Sequence, residues 1–447
     1  MSTRHDRRLV LIVMCAGYFL VLLDVTIVNI ALPSIGDELG AGVRALAWVV
    51  DAYALALASL MLAAGTLGDL HGHRRIVLAG LGLFGAASLG CGLASTAGVL
   101  IAFRALQGVG AALMLPGTLA VIADAYPERA EQAKAVGLWA AVGGAALPAG
   151  PLLGGALIEL VGWRAVFLLN VPVIVAAIVG TLRTVSAARG RSERRLDAPG
   201  VVLGASALAL ATLAIVETRH DGALAAGAAL AAALLGTAFV GAERSRADPM
   251  LPLSLLRSPA FTAANAIAAT MNLATLGLLF VLTLYLQDVR GDSALTAGVA
   301  LLPLFAPVSL LAPLGGRIAA RRGPRVPMTA GLVTAAAGVA LLTSAGTHAS
   351  YLSLLPALLL WGAGIGLLTP GVVAAAVGAV DRRRAGLASA MSNTCRQAGG
   401  AVGIAGFGAV AGSPASAGFV EGLHAVAVTA AGLFVLAAAT TVAVLRP

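Results

Sequence analysis

Charged residues are scarce in this 447-residue sequence: Asp, Glu, Lys and Arg together make up 11% of it, whereas soluble domains carry about 25%. A soluble globule must cover its surface with polar groups, so this shortage excludes a soluble protein of ordinary composition. Lysine occurs once, at Lys134. The three cysteines, Cys15, Cys91 and Cys395, lie within apolar runs and lack the spacing of metal ligands or of a disulfide framework.

Several functional motifs are also missing. The sequence contains no G-x-x-x-x-G-K-[ST] loop for nucleotide phosphates, which argues against an ATP-driven pump. It contains no cluster of Ser, His and Asp or of metal ligands, which argues against an enzyme. The net charge of +9 would suggest nucleic-acid binding in a soluble protein, but the basic residues lie in short loops between apolar runs. We therefore expect no cofactor, no metal and no nucleic-acid partner.

Long apolar runs dominate instead. Hydrophobic residues make up 59% of the sequence, and 55 glycines suit membrane helices, in which small residues let backbones approach closely. A helical span needs about 20 apolar residues, and lipid offers no partners to the backbone groups of other structures. Fourteen runs are of this order, at residues 9–32, 45–67, 75–95, 98–123, 135–158, 163–182, 199–216, 222–242, 259–286, 296–316, 326–345, 350–379, 386–411 and 421–445. We therefore predict an all-α membrane protein with fourteen transmembrane helices.

Basic residues are distributed unevenly between alternate loops. With the N-terminus in the cytoplasm, 23 of the 29 Lys and Arg residues fall on the cytoplasmic side, 4 fall outside, and 2, Arg104 and Arg396, fall within spans. Loops rich in Lys and Arg stay in the cytoplasm. The first run contains Asp24 and is too long for a signal peptide core, so we interpret it as an uncleaved span. We expect a multi-pass protein of the cell inner membrane with both termini in the cytoplasm.

An internal repeat divides the chain. Residues 108–117 and 362–371 share Gly at the first, third and tenth positions and Pro at the ninth, and residues 65–74 resemble residues 316–325. Repeats of the same orientation indicate two parallel halves around an axis along the membrane normal. Spans 1–6 and 9–14 are then two six-helix bundles, and spans 7 and 8 form an extra hairpin between them. The predicted units are residues 1–198, 199–257 and 258–447.

Asp24 is the most conspicuous candidate for chemistry. A carboxylate inside an apolar span costs roughly 2.5–3.5 kcal/mol on insertion scales, so it must face protein or water. A group that moves between a buried environment and one near a cation can bind and release a proton. Arg104 stays protonated, so its role would be to tune a carboxylate. The alternatives are a structural Asp24 bonded to backbone or to Asn29, and an Arg104 that reaches toward the membrane interface.

Five segments, in order, resemble motifs of the major facilitator superfamily, and specifically of its fourteen-span drug:proton antiporters. Residues 23–33 resemble the first-span motif, and residues 65–75 resemble the gating motif between spans 2 and 3. Residues 104–108 resemble the Arg motif of span 4, and residues 150–155 the antiporter motif of span 5. Residues 385–400 fit the pattern of span 13. The resemblance covers essentially the whole chain.

The resemblance implies a major facilitator fold and a secondary active transporter that exports hydrophobic drugs or antibiotics by alternating access, driven by a proton gradient. It implies proton coupling at Asp24 and Arg104. Polar residues in the spans that line the family's cavity are Asn29, Asp51, Gln107, Asn272, Asn393, Arg396 and Gln397. The gating motif comprises Gly65, Asp69, Gly72, Arg74 and Arg75, and the antiporter motif comprises Gly150, Pro151, Gly154 and Gly155. The expected partners are a small-molecule substrate and the lipid bilayer, with the protein a monomer.

The gating motif departs from the family pattern, since Leu70 replaces an Arg, His73 replaces a basic residue, and Ala320 stands where the second-half copy would carry Asp. The carboxylates of Asp24 and Asp51 favour cationic or neutral amphiphilic substrates, whereas Arg396 would favour anions. Two other functions stay open: export of one specific endogenous metabolite or amino-acid-like compound, and a transport-inactive membrane sensor. A sensor would be expected to carry a soluble signalling domain, and no loop is long enough to form one.

Overall fold

The chain folds into helices throughout the region described by a computed structural model, which comprises residues 4–185, 197–218, 221–246, 253–346, 349–380 and 385–445. Within these ranges there are sixteen α-helices and no strand. They are α1 Arg4–Leu39, α2 Val43–His71, α3 His73–Gly92, α4 Ala97–Ala125, α5 Arg129–Leu160, α6 Arg164–Leu168, α7 Asn170–Thr184, α8 Ala198–Glu217, α9 Gly222–Ser245, α10 Pro259–Leu284, α11 Ala294–Ala300, α12 Leu302–Arg322, α13 Arg325–Ala340, α14 Tyr351–Gly378, α15 Ala385–Ala411 and α16 Phe419–Val444.

The helices follow the predicted apolar runs closely. The sixth run is divided into α6 and α7, the tenth into α11 and α12, and a π-helix, Tyr285–Val289, extends α10. Thirteen of the described helical stretches are long and apolar enough to cross a membrane. The helix α15 is 27 residues long but is not among them, because Arg396 and Gln397 fall in its middle. The multi-pass architecture is thus confirmed, while the count of fourteen is not confirmed in full.

Side-chain caps define where several of these helices begin. Short polar residues accept hydrogen bonds from the first free N–H groups of a helix. Thr96 accepts from the Val99 amide at the start of α4, and Ser258 accepts from the Phe261 amide at the start of α10. Ser350 does the same for α14. Capping at these loop positions ends each connection and directs the next helix back across the membrane.

The internal repeat corresponds to repeated packing. Gly108 of α4 lies against the Tyr53 carbonyl of α2, where an added Cβ would approach the oxygen to 2.4 Å, and Gly362 of α14 lies against the Leu304 carbonyl of α12, where the distance would be 2.0 Å. These glycines allow backbones to come into contact. Each half thus contains a pair of helices in contact through an equivalent glycine of the repeat. We call α1–α7 the N-terminal half and α10–α16 the C-terminal half.

The helices α8 and α9 form the extra hairpin. They pack on each other, and α8 also contacts α2 of the N-terminal half and α15 of the C-terminal half. Arg44 at the start of α2 forms an ion pair with the buried Glu217 at the end of α8. The predicted basic linker, 189–195, and the basic residues 382–384 lie outside the described residues.

The two ends of α1 define two faces of the molecule, which we call the proximal face and the distal face. The proximal face holds the start of α1, where Arg7 lies 3.4 Å from Glu131 at the start of α5. The distal face holds the end of α1, where Glu38 accepts hydrogen bonds from Arg164 and from the Trp163 indole, the latter at 2.6 Å. These two contacts place α1 and α5 side by side in the same direction.

Candidate functional site

A buried polar network joins α1 to α4. The Arg104 guanidinium donates from Nη1 to Asp24 Oδ2 at 2.5 Å and to Gln107 Oε1 at 2.7 Å. The Gln107 amide in turn donates to Asp24 Oδ1 at 3.0 Å. The three side chains are at most 1% exposed. Both oxygens of the carboxylate are thus bonded, and the charges of the pair compensate each other away from solvent.

Two neighbouring helices hold the guanidinium in place. Arg104 Nε donates to the Val49 carbonyl of α2 at 2.9 Å, and the guanidinium carbon lies 4.4 Å from the centre of the Tyr53 ring. A cation over an aromatic face is stabilised by the ring quadrupole. The Tyr53 hydroxyl donates to the Val21 carbonyl of α1 at 3.2 Å. Arg104 Nη2 is buried without a hydrogen-bond partner among the described residues, so the cation is not fully satisfied.

A second layer extends the network to α3 and α7. Gln107 Nε2 also lies 2.9 Å from Ser88 Oγ, and Asn170 Nδ2 lies 3.3 Å from the same hydroxyl. Sequence reasoning singled out Asp24, Arg104 and Gln107 but missed Ser88, Asn170 and the Val49 carbonyl. Ser88 lies in the third predicted span and Asn170 in the sixth, and neither span is among those from which the cavity residues were taken.

The arrangement brings a titratable carboxylate and a fixed cation into one dry site shared by five helices. Adding a proton to Asp24 would leave the Arg104 charge buried and uncompensated, which costs several kcal/mol. The network therefore provides a physical means of linking proton binding to the packing of α1, α2, α3, α4 and α7.

We predict that Arg104→Gln destabilises the protein by about 3–5 kcal/mol, because removing one partner leaves the Asp24 carboxylate buried without a counter-ion. The double variant Asp24→Asn with Arg104→Gln should recover a large part of this loss. Chemical unfolding in detergent would measure both values. If the two single losses simply add in the double variant, the ion pair has no coupling energy and the prediction is wrong.

The other predicted cavity residues are separated in the structure. Asn29 donates to the Val25 carbonyl within α1 at 2.7 Å. Asp51 is 0% exposed, and neither of its oxygens has a hydrogen-bond partner in the described part of the chain. Asn272 lies buried in α10, while Asn393, Arg396 and Gln397 of α15 are half-buried. The structure therefore joins Gln107 to the ion pair and leaves the remaining six residues elsewhere in the protein interior.

The four antiporter-motif residues face in two directions. An added Cβ on Gly150 would lie 1.9 Å from Thr26 Oγ1, and one on Gly154 would lie 2.9 Å from Ile27 Cγ1, so these two pack α5 against α1. An added Cβ on Gly155 would lie 2.5 Å from the Leu295 Cα of α11. The Pro151 carbonyl faces Gly298 of α11 at a corresponding distance of 2.2 Å. The motif thus holds the N-terminal half against the C-terminal half.

Hydrogen bonds between the two halves lie from the middle of the protein toward the distal face. Ser309 donates to the Gly144 carbonyl at 2.7 Å, and Gln287 donates to the Ile30 carbonyl at 3.0 Å. Glu159 accepts from the Ser293 hydroxyl and from the Leu295 amide, the latter at 3.1 Å. We call these contacts, with the Gly155 and Gly298 packing, the distal seal.

Glu159→Gln is predicted to weaken the distal seal by about 1 kcal/mol. The carboxylate at the start of α11 interacts with the amide dipoles of that helix, and a neutral amide loses most of this attraction. Spin labels at the exposed positions Val161 and Val299 should show a larger population with separated halves. Glu421→Gln, at an exposed glutamate elsewhere on the distal face, is the matched control. An unchanged distance distribution in Glu159→Gln would contradict the assignment.

The gating motif forms a short turn on the proximal face. Gly72 ends α2 with φ of 91°, a left-handed conformation that favours glycine. His73 Nε2 lies 3.3 Å from Asp69, and Arg74 donates to the Leu182 carbonyl of α7 at 3.0 Å. These contacts all lie within the N-terminal half. Gly65 packs near Pro116 of α4, and Arg75 is exposed.

A separate cavity of about 280 Å³ lies at the distal ends of α2, α8 and α15. Its walls are mostly small residues, with Arg44 among them. It lies away from the Asp24–Arg104 pair, and the ion pair between Arg44 and Glu217 satisfies the charges beside it.

Two bundles of membrane-spanning helices, closed against each other on one face and with a buried ion pair inside one of them, define a membrane transport protein. The chain matches the Major Facilitator Superfamily over residues 14–404. It therefore belongs to the Major Facilitator Superfamily, as the sequence motifs indicated.

Relatives with known roles come from drug resistance. The chain is 36% identical over 405 residues to the multidrug resistance protein Stp of Mycobacterium tuberculosis, covering 90% of this chain and 75% of that protein. It is 36% identical over 402 residues to the methylenomycin A resistance protein of Streptomyces coelicolor, covering 89% and 84%. It is 37% identical over 401 residues to the puromycin resistance protein pur8 of Streptomyces alboniger, covering 88% and 80%.

Solved structures share the fold. A bacterial homologue of the human lysosomal transporter Spinster, in an inward-facing and occupied conformation, superposes with a TM-score of 0.72 at 18% identity, covering 99% of this chain and 97% of that one. The nucleoside transporter NupG superposes with a TM-score of 0.69 at 10% identity, covering 98% and 100%. At these identities the likeness shows the fold alone, and it confirms the major facilitator fold predicted from the sequence.

Proposed function

We propose that this transporter exports hydrophobic drugs or antibiotics in exchange for protons, by alternating access. The observation that carries the proposal is the fully buried ion pair between Asp24 and Arg104, with both oxygens of the carboxylate bonded. Relatives that cover most of the chain confer resistance to multiple drugs, methylenomycin A or puromycin. A proton gradient would be the energy source, with no cofactor required.

Asp24 would carry the transported proton. In the described state the carboxylate and the guanidinium compensate each other, which stabilises the packing of α1 against α4. A proton that enters from outside the cell and binds Asp24 would weaken the attraction between Asp24 and Arg104. The exposed or newly solvated Arg104 charge would then favour a different arrangement of the halves. Substrate binding in the cleft between the two halves would favour the return to the described state. Proton binding and substrate binding would then alternate.

The distal seal and the arrangement of charges support an orientation. We place the proximal face in the cytoplasm of the inner membrane, with both termini there, because the basic loops lie on that side. The described state is then closed toward the outside by the distal seal. We divide the chain into residues 1–198, the hairpin unit 199–257 and residues 258–447, and we expect the monomer to be the transporting unit.

The gating-motif turn would act as a latch when the cytoplasmic side closes. Asp69 is about half exposed and Arg75 is exposed, so both are available to contact the C-terminal half in the opposite state. Spin labels at the proximal ends of α2 and α15 would report the closing. Asp69→Asn should shift the population toward the open distance, and an unchanged distribution would count against the latch.

The central experiment is transport in proteoliposomes of the purified protein with an imposed pH gradient. A panel should include puromycin, methylenomycin A, lipophilic cations, neutral amphiphiles and aromatic carboxylates. Movement of several unrelated compounds against their gradients, abolished by a proton ionophore, would support multidrug export. Movement of one compound alone would favour the specific exporter, and no gradient-driven movement of any compound would overturn the proposal.

A further inference from the structure

Two stacked aromatic side chains of the N-terminal half lie near an arginine of the C-terminal half. Tyr18 of α1 and Trp139 of α5 are stacked, with ring centres 3.7 Å apart and planes inclined by 11°. Arg396 of α15 lies close enough for its positive charge to act on the Tyr18 hydroxyl. The cluster therefore spans both halves of the transporter. Its members come from residues far apart in the sequence and include one cation.

The backbone of α5 is shaped to accept the stacked pair. Gly143 lies one helical turn beyond Trp139, and an added Cβ there would come within 2.1 Å of the Tyr18 ring. Only a residue without a side chain leaves room for Tyr18 at this distance. The absence of a Cβ therefore permits the ring to lie flat against the Trp139 indole, and it fixes the orientation of the aromatic surface.

The cluster offers hydrogen-bond donors that the protein does not use. The Nε of Arg396 and the indole Nε1 of Trp139 are buried, and neither has a hydrogen-bond partner among the described residues. Within the same ranges Arg396 has no ion pair, unlike Arg104. A buried donor left without an acceptor costs free energy. A ligand that supplies an anionic oxygen would remove this cost.

The nearby carboxylates do not compete for the same role. Asp24 is at most 1% exposed, and its two oxygens accept from Arg104 and Gln107. Asp51 is 0% exposed. In contrast, Tyr18, Trp139 and Arg396 are all half-buried. Their aromatic face and their cation are therefore partly accessible to a substrate.

We propose that this cluster binds planar aromatic molecules that carry an anionic oxygen, a carboxylate or an ionised phenol. The inference rests on the proposed exporter and names a substrate class for its cleft. The ligand ring packs against the Tyr18 and Trp139 surface, and its oxygen accepts from the Arg396 guanidinium, with the Trp139 indole as a second donor. The structure therefore favours anionic aromatic substrates over the cations that the two carboxylates suggested in the sequence.

Equilibrium binding of three matched probes tests this in lipid nanodiscs at pH 7: 1-naphthoate, uncharged 1-naphthamide and cationic 1-naphthylmethylammonium. Naphthoate should bind at least about tenfold more tightly than either other probe, the size expected of one charge-assisted hydrogen bond. Arg396→Gln should weaken naphthoate binding by about tenfold and leave naphthamide binding unchanged, while Arg396→Lys should retain part of the preference. Trp139→Leu should weaken all three probes. Arg317→Gln, an exposed arginine on α12, is the control for net charge.

The proposal is overturned if naphthylmethylammonium binds as tightly as naphthoate, if none of the probes binds, or if Arg396→Gln leaves naphthoate affinity unchanged. If Arg396→Gln does not fold, the proposal is tested instead by the ratio of the three probe affinities in Arg396→Lys and in Trp139→Leu. Because binding is measured without a proton gradient, a failure of selective binding can be told apart from a failure of the proposed export. Selective binding without proton-driven movement would overturn the exporter alone, and proton-driven export of cations without selective binding would overturn this inference alone.

Discussion

Asp24→Asn is expected to reduce pH-gradient-driven efflux to the level seen without a gradient, while the protein still folds and binds substrate. Asparagine keeps the shape of the side chain and one carbonyl oxygen for Arg104 and Gln107, but it does not titrate between the two states. Proton binding would then no longer change the balance of charge around Arg104. Efflux from proteoliposomes with an imposed gradient measures the loss, and substrate exchange in the absence of a gradient shows whether the carrier still alternates.

A matched control lies on the same helix. Asp37 is an exposed carboxylate near the end of α1, so Asp37→Asn removes the same charge away from the ion pair and should retain gradient-driven efflux. If Asp24→Asn retains gradient-driven efflux at the normal rate, the proton site lies elsewhere. In that case the next residue to substitute would be Asp51, which is the other fully buried carboxylate among the described side chains of the N-terminal half.

Gly155→Ala is expected to lower transport by about tenfold through the distal seal rather than through the proton site. Its Cβ would lie 2.5 Å from the Leu295 Cα and 2.7 Å from the Ala294 carbonyl oxygen, and both are backbone atoms that cannot rotate away. Overpacking of this kind costs typically 1–3 kcal/mol, and 1.4 kcal/mol corresponds to about a tenfold change in population. The state closed at the distal face should therefore become rare.

Gly137→Ala provides the comparison within α5. An added Cβ at Gly137 meets nothing within 4 Å, so the same change of residue should leave transport close to normal. Spin labels at Val161 and Val299 would separate the two variants, with a longer distance expected in Gly155→Ala only. Equal distance distributions in the two variants would show that the α5–α11 contact does not control closure.

Much of the fold could be predicted because the relevant signals are local. The apolar runs located the helices to within a few residues, and the repeat of residues 108–117 in 362–371 identified two halves with the same direction. The glycines of that repeat pack against equivalent neighbours, as Gly108 does on α2 and Gly362 does on α12. The thirteenth predicted span, α15, is not among the stretches that are apolar enough to cross a membrane, because Arg396 and Gln397 fall in its middle.

The candidate site was predicted in part. Asp24 and Arg104 were identifiable because every charge in an apolar span is costly and therefore conspicuous. Their pairing was not, since the two residues are separated by 80 positions. The second-layer residues Ser88 and Asn170 carry no charge and gave no signal. The stack of Tyr18 on Trp139 was also missed, because aromatic residues within spans are more often in packing contacts than at ligands.

The sequence by itself determined that this protein is helical, spans the membrane many times, has two repeated halves and carries four charged residues well inside its spans. Each of these follows from transfer free energies and loop charges that are nearly additive along the chain. The tertiary structure decided which side chains face each other: Arg104 toward Asp24, Gly155 toward α11, and Arg396 toward the aromatic stack. That depends on the rotation and crossing of helices, which are set by packing between distant segments. No local property of the sequence records those rotations.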